Sequence, residues 1–380
     1  MIRTSHFIYF IVLSVLLTSC GSTLEIPTEN ILLADKQASI ETKLLKAKID
    51  FLAKKGISIG QQDPTAYGLD WKASSENPYR SDMNDVAGKF PAVQGWDLGH
   101  IELGHAANLD TVSFDLMRRQ IIEGHKRGAI TTLSWHLDNP ESNGTSWDTT
   151  SAVKTILKEG VNRSKYVAWV SKLADFVKSI KDKNGTEISM VFRPYHEMNG
   201  GWFWWGAASC TPEQYKTLYR DFVHLLADFE VHNLLYAYSP NTLNNALDYE
   251  RFYPGDEFVD ILGIDIYNHN GDSGFAEKLK QDLAVVRQFA SEHNKTFALT
   301  ETGNVAPGNE QWWTQVLYPG IKDTGIAWIL FWRNARKDHY FGIYPEESSE
   351  QDFKTFAKKR DILFLEDIDQ FSFKPQNKIH

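Results

Sequence analysis

The stretch FRPYHEMNGGWFWWG, residues 192–206, sets His196 and Glu197 at the end of an apolar run and follows them with Gly200, Gly201, Trp202, Trp204 and Trp205. A carboxylic acid among tryptophans suits a sugar, because the acid can protonate a glycosidic oxygen while an indole face lies against a pyranose ring. One glutamate does not cleave a glycoside by the usual route, so a partner is required. FALTETG, residues 297–303, supplies it: Glu301 closes a second apolar run, and Gly303 permits a sharp exit. In such a pair one acid protonates the leaving oxygen, and the other attacks the anomeric carbon or activates water. Carboxyls about 5–5.5 Å apart give retention of configuration and about 6.5–9.5 Å give inversion, a choice that residue types leave open. The tryptophans are expected to wall the acid with apolar surface, which favours its protonated form, and to offer stacking faces.

Other chemistries fit less well. His196-Glu197-Met198-Asn199-Gly200 begins like the helical zinc signature but has glycine where the second histidine must stand. His100, Glu102 and His105 are ligand types at close spacing, yet neighbouring strand or loop positions would not aim all three at one ion. No Gly-x-Ser-x-Gly elbow supports a serine nucleophile. No cofactor and no metal is expected.

The two glutamates need a frame. Short β-rich apolar runs at 56–61, 90–97, 129–136, 187–196, 234–239, 259–267, 296–302 and 326–332 alternate with helical periods. One helix follows Thr211-Pro212-Glu213, a cap, a proline at the first turn and an acid, with Tyr215, Leu218, Tyr219, Phe222, Leu225 and Leu226 on one face. Eight βα units predict an α/β fold, a single-domain (β/α)8 TIM barrel; an open doubly wound sheet is the structural alternative. A barrel presents functional groups at the C-terminal ends of its strands. Those ends read Gln61 and Asp63, Asp97, Trp135 and His136, His196 and Glu197, Asn241, Tyr267, Glu301, Trp332 and Arg333. Taken singly, a strand-end glutamate is a solvated or ion-paired group and Trp332 is core. Their collection on one rim is what argues for a site, with Glu197 on strand four and Glu301 on strand seven.

The whole chain has 380 residues, 13% of them aromatic, with 12 Trp and a formal charge of -9. The negative balance excludes nucleic acid as a partner. At the start, Arg3 precedes an apolar run from Phe7 to Leu17 and then Leu17-Thr18-Ser19-Cys20. The run is too short to span a bilayer but suits a signal peptide, and the ending resembles a bacterial lipobox with Cys20 as the lipidated first residue; an ordinary secretory signal is the alternative. The expected organisation is a signal peptide over 1–19, lipidated Cys20 and a tether over 20–37, and a catalytic domain over 38–375. Cys210 then has no intramolecular partner and reads as a small buried thiol. A single acid, Glu25, follows Cys20 closely. A lipid-anchored monomer of the bacterial envelope, facing the periplasm rather than the cell surface, is the expected location.

Residues 38–375 resemble glycoside hydrolase family 26, mostly β-mannanases built on (β/α)8 barrels with acids on strands four and seven. RPYHEMNGGWFWWG carries most of the resemblance, with GQQDPTAYGLDW, PAVQGWDLG and LTETG; Gln61 stands where histidine is common in the family. The resemblance implies that Glu197 is the general acid/base and Glu301 the nucleophile. It implies support from His196, a position beside the acid for Trp202, a hold on the nucleophile by Tyr267, and sugar contacts from His136, Trp332 and Arg333. The implied substrate is β-1,4-mannan, galactomannan or glucomannan, or manno-oligosaccharides, hydrolysed with retention in endo or exo fashion. β-1,3-xylan, mixed-linkage glucan and a non-catalytic glycan-binding lipoprotein are the alternatives.

Overall fold

The computed structural model describes residues 22–76, 78–269, 271–304 and 308–376. Eight parallel strands form a closed barrel: β1 (Ile57–Gln62), β2 (Val93–Asp97), β3 (Ile130–Ser134), β4 (Met190–Arg193), β5 (Leu234–Tyr238), β6 (Ile261–Asn268), β7 (Thr296–Asn304) and β8 (Trp328–Phe331). Each pairs with the next, and β8 returns to β1 with Ile329 opposite Ile59, which closes the ring. All eight expected strands are present in the expected order. Strands buried on both faces read as near-continuous apolar runs, and that is why they were legible.

The helices pack outside the barrel on amphipathic faces. Pro212–Asp228 begins with a capping box, in which Thr211 and Gln214 satisfy each other's backbone N–H groups. It buries Tyr215, Leu218, Tyr219 and Phe222 against the sheet. Phe114–Lys126, Arg163–Ser179 and Gly271–Glu292 bury similar faces.

Among the elements that went unforeseen, a helix and a strand pair lie at the base of the barrel. The helix Ile40–Leu52 crosses the N-terminal ends of the strands. Its Ile49 and Leu52 join a core of first-layer strand residues: Val93, Ile130, Val191, Leu235, Ile261 and Trp328. Its polar side reaches backbone and hydroxyl groups just before the strands, with Thr42 on His232 O at 3.1 Å and Lys48 on Gly128 O at 2.6 Å. Outside this plug, Ser22–Ile26 pairs in parallel with Phe371–Pro375, and Phe371 and Phe373 set their rings edge-on to Phe51. The stretch 20–37, expected to be a tether, therefore carries a strand, a 3-10 turn at Thr28–Asn30 and buried Leu33 and Ala34. Its apolar residues are too few to show a period, and they find their cover only on the docked helix. The expected signal peptide and Cys20 lie outside the described residues.

Candidate active site

β4 ends at Arg193, four residues before Glu197, because Pro194 has no N–H to continue the ladder. The sequence had suggested that the strand runs through His196. Instead the chain turns, and Tyr195 and Glu197 adopt left-handed backbones with φ of 49° and 55°. Such conformations cost a non-glycine residue on the order of 1–3 kcal/mol each and persist only when neighbours hold them. Here three groups do so. Tyr215 Oη donates to Tyr195 O at 3.0 Å, Trp205 Nε1 donates to His196 O at 2.8 Å, and Glu197 N donates to Ser239 O at 2.7 Å.

This answers for the tryptophans. Trp204 and Trp205 are wholly buried and serve the turn rather than a ligand; Trp204 Nε1 donates to Leu137 O at 3.1 Å. Only Trp202, 39% exposed, faces the mouth, and its Nε1 donates to Glu197 Oε2 at 2.8 Å. Gly200 makes room for it, since a Cβ there would lie 2.3 Å from the indole ring. The second Glu197 oxygen accepts from Asn241 Nδ2 at 2.6 Å. Thr242 N–H and hydroxyl both point at Asn241 Oδ1, so the amide can present only its NH2 to Glu197. Burial and the neighbouring Glu301 charge push the Glu197 carboxyl up to about 7.

Glu301 reaches the same space by a different device. In β7 the pairing with β6 skips Thr300: Leu299 lies opposite Ile264, and Glu301 opposite Asp265. A bulge of this kind re-aims a side chain, and it leaves Thr300 and Glu301 both free to serve the centre. Glu301 Oε1 is bound by Arg193, and Oε2 accepts from Tyr267 Oη at 2.8 Å. Arg193 also donates to Asp265 Oδ2 at 2.9 Å, and the guanidinium is buried. Glu197, Asp265 and Glu301 each bring one oxygen within 4.8 Å of the other two. Three carboxylates so close would suit a divalent cation, but Arg193 already bonds two of them.

The histidines form a chain beside the acids. Asp97 Oδ2 meets His136 Nδ1 at 2.6 Å, and His136 Nε2 meets His196 Nε2 at 3.1 Å. Burial opposes charge on Asp97, yet His136, Ser134 and the Gly99 N–H hold it ionised, with its pKa down at about 2. His136 is likewise raised against burial by Asp97, whereas burial and Arg193 hold His196 neutral.

A pocket of about 460 Å³ gathers His136, His196, Glu197, Trp202, Tyr267, Glu301 and Trp332, with Trp147, Phe203, Asn241 and Phe341. Seven of the eight residues singled out in the barrel are therefore together. The eighth, Arg333, does not line this pocket: its guanidinium pairs with Asp110 at 2.7 Å and reaches Tyr67 Oη at 3.3 Å. Glu102 is occupied elsewhere, accepting from Trp135 Nε1 and Asp138 N. Sequence reasoning missed Arg193, Asp265 and Trp147 as site residues. Arg193 and Asp265 stand within strands otherwise apolar, and a charge inside such a run was the signal available.

The family model described as glycosyl hydrolase family 26 matches residues 34–309. A mannan endo-1,4-beta-mannosidase of Bifidobacterium adolescentis is 32% identical over 90% of this chain, and one of Bacillus subtilis 32% identical over 58%. The chain spans 36% and 60% of the lengths of those two relatives. Among solved structures, a family 26 beta-mannanase of Bacteroides ovatus superposes with a TM-score of 0.83 at 39% identity, covering 90% of this chain and 98% of that one. A Cellulomonas fimi endo-beta-1,4-mannanase superposes with a TM-score of 0.80 at 33% identity, covering 89% and 78%. With the barrel, the strand-four and strand-seven glutamates and this match over most of its length, the chain belongs to glycosyl hydrolase family 26.

Proposed function

We propose that the protein hydrolyses β-1,4-mannosidic linkages with retention of configuration, Glu197 acting as general acid/base and Glu301 as nucleophile. The observation that carries this is the approach of the two carboxylates within 4.8 Å, well short of the spacing an intervening water needs. The surroundings divide the roles. Glu197, buried and held up at about 7, keeps a proton to give. Glu301 is bound by a guanidinium and a phenol, as suits an anion. His136, His196, Trp202 and Trp332 are the assigned sugar contacts, and Tyr267 holds the nucleophile. Arg333 is assigned to sugar further along the cleft. Mannan is taken as substrate because the relatives named above are mannanases. A second reading, a β-glucan, is favoured by the likeness to an Endoglucanase H of Acetivibrio thermocellus, 26% identical over 49% of this chain. Mannohexaose and mixed-linkage glucan offered separately decide between them, as release of reducing ends from one and not the other. Proton NMR immediately after mixing with mannohexaose is expected to show the β-anomer first. An initial α-anomer would mean inversion and would remove the nucleophile role from Glu301.

The proposal extends to location: a lipid on Cys20 anchors the chain to the envelope, facing the periplasm and acting on oligosaccharides already imported. Its support is Leu17-Thr18-Ser19-Cys20 and the single acid Glu25. Because Ser22–Ile26 docks at the base of the barrel, so short a connection would turn the mouth away from the bilayer. Among the described residues no helix is long and apolar enough to cross a membrane. Wild-type protein is expected to partition into detergent, and Cys20→Ala to be released as soluble protein. Digestion by protease added to intact cells would place it on the surface instead.

A further inference from the structure

Arg193 touches two carboxylates and not one. Asp265 is wholly buried, lies in β6 and faces Arg193 across the barrel, not the open pocket. Burial raises its carboxyl, but donors meet both of its oxygens. Oδ2 takes Arg193 Nη1 at 2.9 Å; Oδ1 takes Ser239 Oγ at 2.8 Å and Thr300 Oγ1 at 2.7 Å. The ionised form is the one these contacts fit. Thr300 is available because of the β7 bulge, and Ser239 is the residue whose carbonyl fixes the Glu197 turn. One group of contacts thus joins both glutamates to Asp265.

We propose that Asp265 is a positioning residue acting through Arg193: it takes up half of the guanidinium's charge, so that Arg193 holds Glu301 in place without drawing the proton from Glu197. With Glu197 protonated, the four groups Arg193, Asp265, Glu301 and Glu197 sum to -1. When Glu301 bonds to the anomeric carbon it loses its charge, and Glu197 gives its proton to the leaving oxygen and gains one. The sum is again -1, so neither half of a retaining cycle asks the buried centre to change its net charge. Without Asp265 both states would sum to zero, and once Glu301 has bonded to the sugar the guanidinium would have no anion but Glu197 against it. This inference rests on the acid/base role proposed for Glu197.

The groups facing Glu197 are Arg193 and His196 from its own turn, His136 after β3, Asn241 after β5, Asp265 and Tyr267 on β6, Glu301 on β7 and the Trp202 indole. Of these, His136 is the other group able to carry positive charge, and it pairs with Asp97. Arg193 is therefore the cation whose effect Asp265 controls. Removing an anion within 4.8 Å makes Glu197 a stronger acid, so the general acid is lost at lower pH. For Asp265→Asn the alkaline limb of kcat/KM on mannohexaose is expected to fall by about one to two pH units. A dinitrophenyl β-mannobioside, whose leaving group needs no proton, is expected to show no such movement in its bond-cleavage step. Asp265→Ala should show the same fall, and added formate should reverse it, which keeps the test independent of how well Asn fits. A limb that stays in place in the folded Asn or Ala variants, with activity lowered equally at every pH, would overturn the proposal. Glu197→Gln separates the two readings: an unchanged alkaline limb there would overturn the acid assignment itself.

Discussion

Glu301→Gln is expected to lower turnover on mannan by about four orders of magnitude while the chain still folds. The amide is nearly isosteric: its oxygen can accept from Arg193, and its NH2 can donate to Tyr267 Oη, so both present contacts keep a partner. What disappears is the anion that attacks the anomeric carbon. Glu301→Ala should be equally slow, with a difference that identifies the role. Azide, small enough for the vacated space, should attack from the side Glu301 occupied and release a mannosyl azide of inverted configuration. Turnover near that of the parent in the Gln variant would end the nucleophile assignment. Circular dichroism and the melting temperature establish that the variant is folded.

Glu197→Gln is expected to cost about 10²–10⁴ in turnover on mannan, the usual range for a positioned general acid. Asn241 and Trp202 both donate to Glu197, and a Gln side chain has one acceptor in place of two. The Gln NH2 therefore faces one of those donors, and a modest loss of stability accompanies the loss of activity. The effect should depend on the leaving group. A dinitrophenyl mannoside leaves without a proton, so the first step survives and the second, which needs a base to activate water, becomes limiting. A burst of dinitrophenol followed by slow turnover is the expected record. In the parent enzyme kcat/KM should fall as pH rises through about 7, because the acid must be protonated in the free enzyme. That limb should vanish in the Gln variant. Equal losses on mannan and on the dinitrophenyl substrate would instead point to a role in binding.

The barrel was legible because its signal is local. Each strand is a short apolar run, and each outer helix repeats its apolar residues every three to four positions. The base was not legible. In Ile40–Leu52, lysines at 43, 46 and 48 interrupt the apolar period. In the fold the ammonium group of Lys46 reaches Asp50 and Thr296, and that of Lys48 reaches Gly128 O. A helix that closes a barrel meets strand ends and not a flat sheet, so it carries polar groups where a sheet-packed helix would be apolar. The strand Ser22–Ile26 depends in turn on that helix and on a partner almost 350 residues away, with Thr23 bonded to Ser372.

Within the site the division is sharper. The sequence by itself determined that one glutamate follows the fourth apolar run and another ends the seventh, and that histidine, tyrosine and tryptophan share their rim. That set limits the chemistry to few reactions, and the barrel places all strand ends on one face. Which tryptophan meets the acid was decided only in three dimensions: Trp202 reaches Glu197, whereas Trp204 and Trp205, two and three residues on, brace the turn behind it. The turn itself was hidden, because it depends on the Tyr215 hydroxyl donating to Tyr195 O and on the Ser239 carbonyl accepting from Glu197 N–H to hold both residues in left-handed conformations. Protonation was hidden for the same reason. Arg193 and Glu301 are 108 positions apart in the chain yet bonded in the fold. Periodicity is a property of neighbours along the chain, but separation, burial and charge are sums over neighbours through space. Those sums push the Glu197 carboxyl up and set a guanidinium on Glu301.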